Sequence, residues 1–167
     1  MINLADELLP EVLIAVPGCP DTTAERALAR SARQFCMDTQ AWRVTTTPTP
    51  VIQGLREVYL EVPTNTSLLR PYWVTLDGRQ MFGVSESKIS TEEGTPTGYA
   101  LSPSNTLMLD CLPRESFIEN GLVAHFSVVP NRGHALMPED LQQYFDAIQM
   151  LATAYLVTMP GVEWRDR

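Results

Sequence analysis

Residues 16–42 read VPGCPDTTAERALARSARQFCMDTQAW, which is a turn, a helix and an aromatic anchor in one run. Pro17-Gly18 is a turn signal, Pro20 suits a first helical position, and Asp21 or Thr22 can cap or charge-complement the amides behind it. A helix is expected from Pro20 to Thr39. Ala24, Leu28, Ala32, Phe35 and Thr39 recur at helical spacing as one apolar stripe, while Arg26, Arg30 and Arg33 fall on the opposite side. One face packs and the other carries positive charge.

On the N-terminal side, Leu4 to Val16 alternates apolar pairs with acids, and Pro10-Glu11 can open a short helix ending before Pro17. Its core residues would be Leu8, Leu9, Val12, Leu13 and Val16. On the C-terminal side the period changes to two: Trp42, Val44 and Thr46 alternate with Arg43 and Thr45, as in a half-buried strand, and Pro48 and Pro50 confine the next residues to an edge or a loop. Leu55–Val62 alternates Val58, Leu60 and Val62 against Glu57, Tyr59 and Glu61, the cleanest strand pattern in the chain. Tyr72–Leu76 and Gln80–Phe82 flank Asp77-Gly78, a pair that favours a type I′ hairpin turn. Residues 84–98 are rich in Ser, Thr, Glu and Gly and read as an exposed, disordered loop. Further strands are expected at Tyr99–Leu101 and Thr106–Asp110, around the turn Ser102-Pro103-Ser104-Asn105, and at Gly121–Val129.

Pro138 opens a last helix, with Glu139 and Asp140 complementing its dipole and Pro160-Gly161 stopping it. Leu141, Tyr144, Phe145, Ile148, Ala152, Tyr155 and Met159 form its main apolar face. The opposite side also turns apolar after Asp146, with Met150, Ala154 and Val157 and with Ala147 beside them. A helix apolar on two sides needs two covers, here either the rest of the subunit or a second molecule. For a protein that forms a ring the second molecule is the favoured cover, with Ala147 and Ala154 small enough for close approach.

The order helix, helix, strands, helix implies one α+β domain over residues 1–167, helical at 1–40 and 138–160 and strand-rich at 42–130. The N- and C-terminal helices would pack together, with an antiparallel β-sandwich or small β-barrel between them in sequence. A chain of 167 residues with 44% apolar residues supports one sizeable core.

A net charge of −8 argues against electrostatic binding to DNA or to anionic membranes. The acids concentrate late: residues 1–85 hold nine acids against seven Arg, and residues 86–167 hold eleven against five bases. Only Lys88 among the twelve bases is a lysine. Arginine suits carboxylate pairing in interfaces, and a GC-rich coding bias explains the usage equally well.

The three cysteines, Cys19, Cys36 and Cys111, cannot all pair with one another and fit a reduced compartment. With His125 and His134 they lack zinc-ligand spacing, so no metal is expected. A Cys36–His125 nucleophile pair would need an accessible, electropositive thiol, whereas Cys36 lies beside the apolar stripe; a structural thiol is the better reading. His125 reads as a sheet histidine, and Glu92-Glu93 as a solvated pair in a loop. No Gly-x-Ser-x-Gly elbow, Walker loop or dinucleotide fingerprint occurs. Neither an enzyme nor a cofactor is expected. No signal peptide is visible, and the longest uncharged run, residues 147–162, is too short to span a bilayer.

Two stretches carry a family resemblance. Pro17-Gly18-Cys19-Pro20, followed by a helix with Ala32-x-x-Phe35-Cys36 and then Trp42, resembles the N-terminus of tailed-bacteriophage head-to-tail adaptor (neck or connector) proteins. Leu136-Met137-Pro138, a helix with Tyr144 and Ala147-Ile148, and Met159-Pro160-Gly161-x-x-Trp164 resemble the closing signature of the same family. The middle matches only in being strand-rich. Leu151 stands where the family usually has a small Gly, which bears on a close helix contact, and many members continue past the position of Arg167 into another helix that serves as a docking tail. The resemblance implies the same α+β arrangement and a structural virion protein. It implies a homo-oligomeric ring, expected to be a dodecamer, bound to the portal protein above and to a tail or nozzle protein below, with DNA passing through the channel without specific binding. Synthesis in the host cytoplasm and residence in the virion neck follow. The alternatives are a tail-completion or minor tail protein of the same particle, and a small soluble enzyme or ligand-binding domain. Candidate interface residues are Arg26, Arg30, Arg33, Ala147, Met150, Ala154 and Val157, the three arginines being expected to meet carboxylates of another subunit.

Overall fold

The computed structural model describes residues 1–102, 104–162 and 164. In chain order the first elements are strand β1 (Ile2–Asn3) and helices α1 (Leu4–Ala15) and α2 (Asp21–Thr39). Nine strands follow: β2 (Arg43–Thr45), β3 (Thr49–Val51), β4 (Glu57–Tyr59), β5 (Thr66–Leu76), β6 (Arg79–Gly83), β7 (Glu93–Gly94), β8 (Gly98–Ser102), β9 (Thr106–Leu109) and β10 (Leu112–Pro113). The chain closes with β11 (Phe117–Pro130), β12 (Leu136–Met137), a 3₁₀ segment (Glu139–Tyr144) and helix α3 (Phe145–Val157). The class is α+β, with helices at both ends and a large curled mixed sheet, a β half-barrel, between them in sequence. Two compact units result, Met1–Trp42 together with Val129–Arg167, and Arg43–Val128.

The first unit joins the two ends of the chain. β1 pairs antiparallel with β12, Ile2 opposite Met137, and the Leu4 amide donates to Ala135 O at 2.9 Å. Helix α1 starts earlier than Pro10 because Asn3 caps it, its side-chain oxygen accepting from the Ala5 amide at 3.2 Å. Pro10 lies inside the helix on its exposed side, so the missing donor and any bend face solvent. The buried stripe is Leu4, Leu8, Val12 and Val16, with Leu9 and Leu13 only half-buried. Gly18, at φ 90°, makes the turn into α2.

Pro20 is the N-cap of α2 rather than its first residue, its carbonyl accepting from Thr23 and Ala24; neither Asp21 nor Thr22 makes a side-chain cap bond. The buried face is wider than one stripe: Ala27, Ala29, Ser31 and Cys36 join Ala24, Leu28, Ala32 and Phe35. Small side chains there let α1 and α3 both approach α2. Thr39 is exposed instead and returns its hydroxyl to Phe35 O at 2.7 Å. In α3 the buried line is Phe145, Ile148, Ala152 and Leu156, continued back to Leu141. Tyr144 is exposed, while Tyr155 and Met159 are half-buried; a 100° turn per residue carries the core line to Leu156 rather than Tyr155. The segment behind Pro138 is 3₁₀ up to Tyr144 and becomes α-helical at Phe145. Trp164 Nε1 donates to Leu156 O at 3.2 Å.

In the second unit, eight strands among the described residues form one sheet in the order β2-β11-β5-β6-β8-β9-β4, with β3 also on β11. The alternation at residues 42–46 holds, with Trp42 and Thr46 buried and Arg43 and Thr45 exposed. Thr46 closes the strand end with a pair of bonds to Ala124, through its amide and through its hydroxyl. Pro50 sits in β3, a three-residue strand at the sheet margin. The hairpin forms as expected, β5 on β6 with Val74 opposite Met81, and Asp77 (φ 51°) and Gly78 (φ 73°) both take the positive φ of a type I′ turn.

Three readings change. The strand at 55–62 shrinks to Glu57–Tyr59, because only β9 pairs with it. Residues 84–98 are tied down by backbone bonds that composition does not reveal: β7 pairs with β10, Ser90 N donates to Asp110 O at 2.7 Å, and Leu112 N to Glu92 O at 3.0 Å. The same crossover returns the chain in its starting direction, so β6 and β8 run parallel and the sheet is mixed rather than antiparallel. β8 and β9 pair around a turn in which Ser104 and Asn105 take positive φ; Pro103 of the expected turn lies outside the described residues.

Candidate functional site: an arginine-lined concavity and a bare apolar helix face

Arg26, Arg30 and Arg33 share the face of α2 opposite its core line, as the spacing requires. The structure adds Arg132, carried by the turn between β11 and β12, so that four guanidinium groups line one concavity of about 560 Å³ in the first unit. Two are held in place. Arg33 Nη1 donates to Pro130 O at 2.6 Å, and the Arg30 guanidinium lies over the Tyr155 ring at 4.1 Å from its centroid. Arg26 and Arg132 are exposed. Ala29 and Met37 supply apolar floor, with Met37 41% exposed. A neighbouring hollow shares Arg26 and Gly133 and is bordered by Asp6 and Glu25, so positive and negative walls adjoin.

Helix α3 places Ala147, Met150, Ala154 and Val157 on the side away from its core line, and all four are exposed, Met150 at 71% and Val157 at 44%. Leu151 is 43% exposed beside them. Burial within the chain, the other cover considered for this face, does not occur. Asp146 is the one charge in the helix, so the face is apolar along most of its length.

The nucleophile candidates are placed for packing. Cys36 is buried with Sγ 3.7 Å from Met137 Sδ, and burial pushes its thiol pKa up to about 12. Burial, and then the Asp21 charge, also raises Cys19; burial, and then Asp110, raises Cys111. All three are free thiols, and each is shifted toward the neutral form rather than the thiolate. His125 lies in the second unit with Nδ1 2.8 Å from Thr45 Oγ1 and its ring stacked on Trp73 at 5.6 Å. Glu92 and Glu93 are exposed.

A smaller concavity of about 250 Å³ in the second unit, between Phe82 and Phe117, is bordered by Asp77, Arg79 and Glu115 and holds no histidine or cysteine. Among the described residues no three His, Cys, Asp or Glu gather as a metal site, and no helix is long and apolar enough to cross a membrane. Sequence reasoning missed Arg132 and Met37. Arg132 stands next to Gly133 in a polar turn, and nothing local links it to α2. The chain matches no protein-family model and no curated protein.

Proposed function

We propose that this chain is a structural virion protein, a head-to-tail adaptor that forms a ring beneath the portal of a tailed phage, joins capsid to tail and lets DNA pass. The observation that carries the reading is the bare second face of α3, from Ala147 to Val157, which exposes a run of apolar side chains of the kind that marks a protein–protein contact. Two further features support it. The end segments that resemble the adaptor family, Pro17–Trp42 and Leu136–Trp164, belong to one compact unit, joined by the packing of α2 on α3. The acidic balance of the chain suits a channel along which a duplex slides, because like charge gives the phosphates nothing to bind.

The partners are further copies of the chain, the portal protein and a tail or nozzle protein. The test is a mass measurement of purified portal rings with and without this protein. Uptake of a fixed number of copies per portal supports the adaptor. Uptake by isolated tails and none by portals moves the protein to tail completion, and binding to neither removes the reading.

A further inference from the structure

We propose that the arginine concavity of one copy receives the edge segment Glu57–Glu61 of a second copy, as the repeating head-to-tail contact of the assembly. The proposal deepens the ring reading by naming the two surfaces.

The receiving surface is built for carboxylates. Four arginines line one concavity in a chain whose net charge is −8, so the positive charge there is a local concentration, and no acid stands among the residues that line it. Arg33 and Arg30 are already fixed by Pro130 O and by the Tyr155 ring, so less side-chain entropy is lost when a carboxylate docks. Met37 adds an adaptable apolar surface to its lining.

The inserting surface is the free margin of the sheet. β4 ends the strand order, with β9 as its one hydrogen-bonded strand neighbour among the described residues. Val58 and Leu60 point into the core, so strand alternation puts Glu57, Tyr59 and Glu61 together outside, with Tyr59 62% exposed. An exposed aromatic between two carboxylates is the counterpart of guanidiniums beside an apolar floor, since arginine pairs with acids and stacks on aromatic faces.

The order of groups is alike on the two surfaces. Burial alternates from Glu57 to Glu61, so the two carboxylates flank Tyr59 on the exposed side, and seven residues of helix place Arg26 and Arg33 about 10 Å apart with Arg30 between.

Duplex DNA fits this site poorly. Asp6 and Glu25 border the adjoining hollow that shares Arg26, so a phosphate backbone running on past the arginines would meet two carboxylates. The two surfaces are different patches on one chain, so the contact is heterologous and propagates into a ring or a filament.

The test uses the full chain alone, without portal, by sedimentation velocity over a concentration series at low and high salt. Wild type is expected to associate with rising concentration, more weakly at high salt. Arg26→Glu with Arg132→Glu, and separately Glu57→Arg with Glu61→Arg, should each weaken association at least tenfold, and an equimolar mixture of the two double variants should restore it. Glu57→Gln with Glu61→Gln, at exposed positions, serves if a reversed variant does not fold. A wild type that stays monomeric throughout, reversals without effect, or a mixture that fails to recover overturns the proposal. So does duplex DNA binding that is lost on reversing the arginines, which would assign the concavity to phosphates. Portal uptake is measured separately, so the adaptor reading can fail while this contact stands, and the reverse.

Discussion

The guanidinium of Arg30 on α2 lies 4.1 Å from the ring centroid of Tyr155 on α3, so one interaction ties two helices together and fixes the cation of a residue that lines the concavity. Tyr155→Leu keeps apolar bulk and removes the ring face. A double-mutant cycle with Arg30→Gln is expected to give a coupling of about 0.5–1 kcal/mol in urea unfolding. Additive effects would show that the stacking contributes nothing.

The bare face of α3 makes a sharp pair of expectations. Met150→Glu with Val157→Asp places two charges where the side chains already meet solvent, so unfolding free energy should stay within about 0.5 kcal/mol of wild type. Uptake onto the portal should be lost. Circular dichroism melts and portal mass measurements read the two outcomes separately, and a variant that still assembles would leave the face without a partner.

Cys36 titrates in a way that stability should report. Its folded pKa of about 12 lies above the ordinary value of 9.0, so folding favours the neutral thiol. The unfolded thiol ionises first as pH rises, so this contribution is complete below about pH 9 and is lost between pH 9 and 12. Wild type should therefore lose more stability than Cys36→Ala between about pH 8 and pH 10.5, since other groups cancel in the difference. Iodoacetamide at mildly alkaline pH should label Cys36 only on unfolding, and rapid labelling of the native chain would contradict its burial.

Gly121 on β11 lies so close to Thr49 of β3 that a Cβ there would overlap the Thr49 carbonyl. Gly121→Ala must push β3 away at the point where the β11–β3 register already shifts. A loss of about 1–3 kcal/mol is expected in denaturant unfolding. Gly83→Ala, where the nearest atom to the added Cβ is Tyr99 Oη at 4.0 Å, is the control and should cost much less.

Local order was legible in the sequence wherever side-chain period and turn chemistry suffice. The core line of α2, the alternation of Trp42 through Thr46, and the hairpin at Asp77-Gly78 need only neighbours along the chain, because 3.6- and 2-residue periods assign faces and two positive φ angles select the turn. The same locality put Arg26, Arg30 and Arg33 on one face of a helix. Tertiary structure decided what depended on distant partners. Asn3 and the β1–β12 pair carried α1 through Pro10, where the proline alone suggested a start. Backbone bonds to β10 and Asp110 ordered a crossover whose composition read as loose, since a polar segment can be held by main-chain groups that leave no trace in its side chains. Only packing brought Arg132 beside the α2 stripe and left the second face of α3 uncovered, because a periodic pattern states that a face is apolar and never which surface will meet it.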